Sequence, residues 1–256
     1  EGDHWAEHAD WYDAASRAVM RDYIKAIDAN ASDVILDVGC GAGGLSLDLS
    51  PACARIHGVD LSSQMVDVAA KRAAERGISN ATFEVTDAQT AAFAADYDLV
   101  VSSFGVMFFD DPIAAFANIA TALRPGGRVV LAAWRDLREN DWLMGMRGAL
   151  AMGRDLPFPP LEAPTPFSLS NAERTTSLLR AAGLRDVVLT RLDQPMNFGA
   201  TAADAFAFVR NIGIVKSLTH DLDDAQTAQA LENLRSMLAA HETPDGVLFE
   251  HATRIG

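Results

Sequence analysis

The sequence predicts a doubly wound α/β fold: a mostly parallel seven-stranded sheet with N-terminal helices and an inserted lid region. Three observations predict it. Short apolar runs alternate with stretches of helical period, which is the signature of βαβ units. The runs are nearly unbroken rather than apolar and polar by turns, as expected for strands covered on both faces. The first run ends in a cluster of glycines, Gly39, Gly41, Gly43 and Gly44, where a strand would turn into a helix.

The elements follow in order. From about Trp5 to Ala29, apolar positions Trp11, Ala15, Ala18, Val19, Tyr23 and Ile27 recur at helical spacing. VILDVG (34–39) reads as a buried strand, and a helix follows to Leu49. ARIHGVD (54–60) is the second strand, with a helix over Gln64–Arg76. ATFEVTD (81–87) is the third, and YDLVVSSF (97–104) the fourth, followed by a helix near Ile113–Leu123. Pro125, Gly126 and Gly127 predict a turn before RVVLAAW (128–134). The alternation breaks there. A helix over Asp141–Met152 leads into LPFPPLEAPTPFSLS (156–170), whose prolines exclude a regular element. This segment reads either as a loop over the site or as a surface connector. A helix over Ala172–Ala182, a strand over Arg185–Thr190, helices over Ala202–Ile212 and Asp223–Ala240, and a last strand, GVLFEHATRI (246–255), complete the chain. The expected organisation is one domain over 1–256: a helical lid (1–30), a cofactor-binding core (31–135), a lid and acceptor insertion (136–182), and C-terminal strands and helices (183–256).

Of the 256 residues, 49% are hydrophobic and 22% charged, enough apolar material for a large core. The formal net charge is −14, which opposes phosphate backbones and disfavours a nucleic-acid partner. The two cysteines, Cys40 and Cys53, are too few for a disulfide scaffold or a zinc site, so a reducing compartment, the cytoplasm, is expected. No stretch reaches the length of a membrane span. No metal is expected.

The glycines fit Gly-x-Gly-x-x-Gly and Gly-x-Gly-x-Gly equally. Asp37, at the end of the first strand, separates two ligand classes. A carboxylate there repels a pyrophosphate and attracts a ligand bearing an ammonium and a sulfonium. The ligand's own carboxylate would lie near loop and helix-start amides. Asp37 also reads as a helix cap. Asp60 ends the second strand, where a carboxylate accepts ribose hydroxyls or caps the next helix. Asp87 ends the third, where an adenine would be read. Ser102, Ser103 and Phe104 end the fourth.

The segments VILDVGCGAGG, VDLSSQM, TDAQ, YDLVVSSFGVMFFDDP and LRPGGRVVLAAW together resemble the class I S-adenosylmethionine-dependent methyltransferases, in the bacterial small-molecule type related to quinone-biosynthesis enzymes. The resemblance covers residues 30–135 and continues more loosely through NDWL, TPF, AAGL and TPDGV. It implies S-adenosylmethionine as cofactor, with S-adenosylhomocysteine as product. Asp37, Gly39 and Gly41 would hold the methionine part. Asp60 and Leu61 would hold the ribose, Asp87 and Ala88 the adenine, and Ser103 and Phe104 would lie beside the methionine and the sulfonium, with Cys40, Gln64 and Gln89 also among the cofactor-binding residues. Relatives often carry arginine where Ser103 stands.

The acceptor is expected to be a small apolar or aromatic molecule, quinone-like or polyketide-like, in a pocket of Trp11, Tyr12, Met107, Phe108, Phe158 and Phe167. O-, N- and C-methylation remain open, as does the catalytic residue. His4 and His8, four apart, could supply a base or a metal ligand, or stand solvated. Two other readings are a non-catalytic S-adenosylmethionine-binding subunit and an NAD-dependent oxidoreductase. The second predicts an apolar residue at position 37, where the chain has Asp37.

Overall fold

A computed structural model describes residues 8–158, 160, 164–250 and 252–256. Among them, seven strands form the main sheet: β1 (Val34–Val38), β2 (Arg55–Asp60), β3 (Ala81–Val85), β4 (Tyr97–Ser103), β5 (Leu123–Trp134), β6 (Thr190–Asp193) and β10 (Ala252–Ile255). Their order is β3-β2-β1-β4-β5-β10-β6. The first five run parallel, and β10 lies antiparallel between β5 and β6. The central strands are the most apolar. Ile35, Leu36, Leu99, Val100 and Val101 are all fully buried.

Alternate residues of these strands enter different cores, as a pleated sheet covered on both sides requires. On one face Ile35, Ile56, Leu99 and Val101 meet Tyr23 and Ile27 of α1 (Ala9–Ile27) and Leu45 and Leu49 of α2 (Gly44–Leu49). On the other, Leu36, Val38, Val100 and Leu131 meet Phe116 and Ile119 of α4 (Pro112–Ala122) and Leu178 and Leu179 of α6 (Ala172–Ala181). Helix α3 (Ser63–Glu75) packs on β2 and β3 through Val66, Ala69 and Ala73. It starts at Ser62, whose side chain accepts from the Met65 amide, as a cap does.

A third apolar body stands beyond the sheet's edge. It combines α5 (Asp141–Leu150), α7 (Ala202–Val209), α8 (Gly213–Thr219) and α9 (Asp224–Ala239) with a small antiparallel sheet. That sheet orders β7 (Met196–Asn197), β9 (Gly246–Phe249) and β8 (Glu242–Thr243) as β7-β9-β8. Helix α1 joins both bodies. Its Ala15 packs in the outer one, with Tyr12 against it, and Tyr23 and Ile27 in the inner one.

Four expectations need correction. The run 246–255 is two strands in two sheets, β9 and β10, rather than one. The strand expected at 185–190 falls at 190–193, because Asp186 takes a left-handed φ of 55° just after Gly183 at 92°. The helix expected over 202–212 ends at Val209, and a separate, unexpected helix starts at Gly213 after an extended Ile212 (ψ 150°). The Pro125-Gly126-Gly127 turn lies inside β5: the register steps from Tyr97↔Leu123 to Leu99↔Arg128, and Gly126 has a φ of 85°. Residues 5–7 of the expected first helix lie outside the described residues, as do His4 and part of the 156–170 segment. No described helix is long and apolar enough to cross a membrane.

Candidate cofactor and acceptor site

The carboxyl ends of β1, β2 and β4 meet at one edge, where open α/β sheets bind ligands. Parallel pairing fixes the meeting: Asp37 of β1 lies opposite Gly58 of β2 and Val101 of β4. Leaving β1, the chain turns at Gly39, whose φ is 68°. A Cβ here would stand 2.7 Å from the Gly105 Cα, closer than side-chain carbons approach. Gly39 and Gly105 thus bring the loops after β1 and β4 into backbone contact.

Asp37 is buried beside this loop. Its Oδ2 accepts from the Ser46 hydroxyl at 2.6 Å, which hangs from α2. Its Oδ1 is buried without a hydrogen-bond partner. Burial pushes its carboxyl up to about 7, with the Asp60 charge adding to the rise and the Ser46 bond opposing it. Asp37 does not cap α2, whose cap position is Gly43.

Asp60 holds the glycine loop itself. Its Oδ2 accepts from the Gly41 amide and its Oδ1 from the Ser62 amide, both at 2.9 Å. The expected free amides of the loop are mostly committed: Gly39 and Cys40 donate to the Val59 carbonyl, and Gly43 to the Cys40 carbonyl. The Cys40 thiol is buried and its pKa is pushed far up by that burial, so it is no nucleophile at neutral pH. Leu61 and Gln64 are exposed at the rim, with Gln64 Oε1 accepting from the Ser62 and Ser63 hydroxyls.

Asp87 stands two residues past β3, in a turn where it accepts from the Gln89 amide and the Thr90 hydroxyl. Ala88 is buried, and its carbonyl accepts from Asn118 of α4. Gln89 Oε1 accepts from the Asp111 amide, so this turn is tied to the segment after β4. The Ser103 hydroxyl lies 3.2 Å from the Met20 sulfur. Phe104 takes a left-handed φ of 60° and lays its ring on Trp134, centroids 4.9 Å apart. The twelve expected cofactor residues therefore lie at or just past the carboxyl ends of β1, β2, β3 and β4.

The six expected acceptor residues are not brought together. Met107 is buried in the core beneath α4, because the short 3₁₀ turn Val106–Phe108 points it inward. Phe108 is exposed on that turn. Phe158 is held between the guanidiniums of Arg138 and Arg147, 4.0 and 4.6 Å from its ring. Phe167 is buried with Leu137 and Leu143. Trp11 and Tyr12 both set their rings on Phe208, at 5.2 Å. Burial pushes the Tyr12 hydroxyl up to about 12.

Aromatic residues missed in the sequence supply the connection. From Phe104 a chain of rings runs through Trp134, Trp142 (5.5 Å), Phe198 (5.7 Å) and Phe208 (6.1 Å) to Tyr12. Trp134 ends β5 at the ligand edge, which strand-end reasoning could have found. Phe198 and Phe208 gave no signal, since their placement depends on the small sheet.

Residues 35–127 match the family model described as a methyltransferase domain. The aklanonic acid methyltransferase DauC of Streptomyces sp. (strain C5) is 38% identical over 106 residues, 39% of this chain and 47% of that one. A ubiquinone biosynthesis O-methyltransferase of Aeromonas salmonicida is 34% identical over 99 residues, 38% of this chain and 42% of that one. The chain thus spans less than half the length of either. The crystal structure of YcgJ from Bacillus subtilis superposes with a TM-score of 0.58 at 18% identity, covering 92% of this chain and 95% of that one. It shares the fold.

Proposed function

We propose that this chain, whose residues 35–127 match a methyltransferase-domain model, is a class I S-adenosylmethionine-dependent methyltransferase that transfers a methyl group to a small apolar or aromatic acceptor. One observation carries the reading of its cofactor: the buried Asp37 with an unpartnered oxygen, beside a loop whose backbone only glycine can bring so close to Gly105. That pair fits a ligand with a cationic end and no pyrophosphate. An NAD-type ligand would bring its phosphates against a carboxylate.

In this reading Asp37 faces the ammonium, and Asp60, with Leu61 at the rim, faces the ribose. Asp87, Ala88 and Gln89 form the adenine wall, and Ser103 and Phe104 flank the sulfonium. S-adenosylmethionine supplies an activated methyl on sulfur; the bond to sulfur breaks as the acceptor's bond to that carbon forms. The protein's part is alignment and exclusion of water. Phe104, Trp134 and Trp142 form a run of mutually tilted aromatic rings beginning at the expected sulfonium position, which supports an apolar, ring-bearing acceptor. The two curated relatives act in aklanonic acid and ubiquinone chemistry by name, which favours the same class.

The test is calorimetry with S-adenosylhomocysteine and NADH, then product counting with a candidate aromatic acceptor. Binding of S-adenosylhomocysteine alone, and methylated product beyond one equivalent per chain, are expected. NADH binding without S-adenosylhomocysteine binding refutes the cofactor. Product that stops at one equivalent favours a non-catalytic subunit.

A further inference from the structure

We propose that Trp142 reads the acceptor: its indole N–H donates a hydrogen bond to a carbonyl oxygen of the molecule that receives the methyl group. The inference rests on the reading above and specifies the acceptor's chemistry further.

The Trp142 Nε1 atom is buried and has no hydrogen-bond partner. A buried donor left unmade costs about 1–3 kcal/mol, so native structures rarely keep one without use. Its surroundings offer no relief. The ring lies against Trp134 and Phe198 and packs on the cluster of Leu137, Leu143 and Phe167.

The indole is also held in place. Trp142 is the second residue of α5. The cap before it, Asn140, is fully buried, with its Oδ1 accepting from the Ala252 amide of β10 and its Nδ2 donating to the Asp136 carbonyl, both at 3.0 Å. The helix start is therefore pinned to the main sheet. One ring away, Trp134 ends β5, and Phe104 beside it begins the turn out of β4. The Trp142 ring thus lies two ring contacts from Phe104, the residue expected beside the sulfonium.

Indole donates and cannot accept, so its partner must be an acceptor atom. Among flat apolar molecules that fit between rings, a carbonyl oxygen meets that need without adding a second buried donor.

Nitrogen-15 indole labelling in the S-adenosylhomocysteine complex tests this, with 9-fluorenone and fluorene as matched probes. The Trp142 indole signal is identified by its loss in Trp142→Phe. Fluorenone is expected to shift that signal and fluorene to leave it. Wild-type protein should bind fluorenone about tenfold tighter than fluorene, the size of one net hydrogen bond. Trp142→Phe should bind the two equally while its affinity for S-adenosylhomocysteine is unchanged. Equal shifts from both probes, a fluorenone preference that survives in Trp142→Phe, or a complex that binds neither probe overturns the proposal. Wild-type protein that fails to bind S-adenosylhomocysteine sinks the methyltransferase reading itself, and this inference with it.

Discussion

If Asp37 faces the cofactor's ammonium, as proposed, cofactor affinity is expected to depend on pH. Its carboxyl titrates near 7 because burial disfavours the charged form. An ammonium opposite Asp37 favours the ionised form, so ligand binding and proton release are linked. Affinity for S-adenosylhomocysteine is expected to rise from pH 5.5 to 7.5, at most about tenfold per unit, and to level above that. Without ligand the sign reverses. The folded chain binds a proton that the unfolded chain has already lost, so Asp37 contributes stability below about pH 4 that fades as pH rises through 7. Asp37→Asn should flatten both profiles, and calorimetry and thermal melts across this range check it. A second contrast separates two strand carboxylates. Asp60 fastens the glycine loop, whereas Asp98, at the far end of β4, accepts from the Val34 amide at 2.9 Å and pairs with Arg124. Asp60→Ala should weaken cofactor binding by roughly 2–4 kcal/mol, while Asp98→Ala lowers the melting temperature and leaves affinity intact. Equal dissociation constants for the two variants would refute the assignment.

At the scale of elements, α1 is both a wall and an anchor. The Tyr23 hydroxyl reaches into the sheet, 2.7 Å from the carbonyls of Ser102 and Val130, and burial drives its pKa well up. Arg72 of α3 ties the helix's other end through Asp10 and Asp13. Tyr23→Phe leaves the ring and removes the buried bonds, so a loss of about 1–3 kcal/mol is expected in chemical denaturation. A change below a few tenths would mean the hydroxyl contributes nothing to docking the helix. The same element shows what the sequence could convey. The helical period of Tyr23 and Ile27 and the apolar run of β1 are local patterns, set by which residues must be buried. The gathering of Asp37, Asp60 and Phe104 at one sheet edge was equally legible, because they stand at strand ends and topology alone gathers strand ends. The acceptor wall was not. Phe167 meets Leu143 and Phe198 meets Trp142 only through tertiary packing, and no local spacing encodes a contact across 24 or 56 residues. Phe158 misled for a related reason: its partners Arg138 and Arg147 lie on another element.

At the scale of the molecule, the described residues build two apolar bodies that meet at Trp134, whose ring touches Phe104 and Trp142. One is built on both faces of the main sheet, and the other on α5, α7, α8 and α9. Methyl transfer gains from a dry site, so closure over the cofactor is an expectation that ligand binding can test. Helix α1 spans them, and its two halves should respond differently. Tyr23 and Ile27 are fully buried in the inner body and have little protection left to gain. Residues 8–20 carry Trp11, 41% exposed, and Tyr12, whose rings both meet Phe208 of the outer body. A cationic sulfonium near such rings adds an attraction of about 0.5–2 kcal/mol. Hydrogen exchange with S-adenosylhomocysteine is expected to slow in residues 8–20 and to stay unchanged in residues 21–27. The segment 164–170 should change little, since its Ser168 hydroxyl is already bonded to the Met107 carbonyl and the Ser170 carbonyl to Arg254. Exchange in residues 8–20 that ignores the ligand would make α1 a fixed wall rather than a closing one, and the two bodies would then meet the acceptor as a rigid cleft.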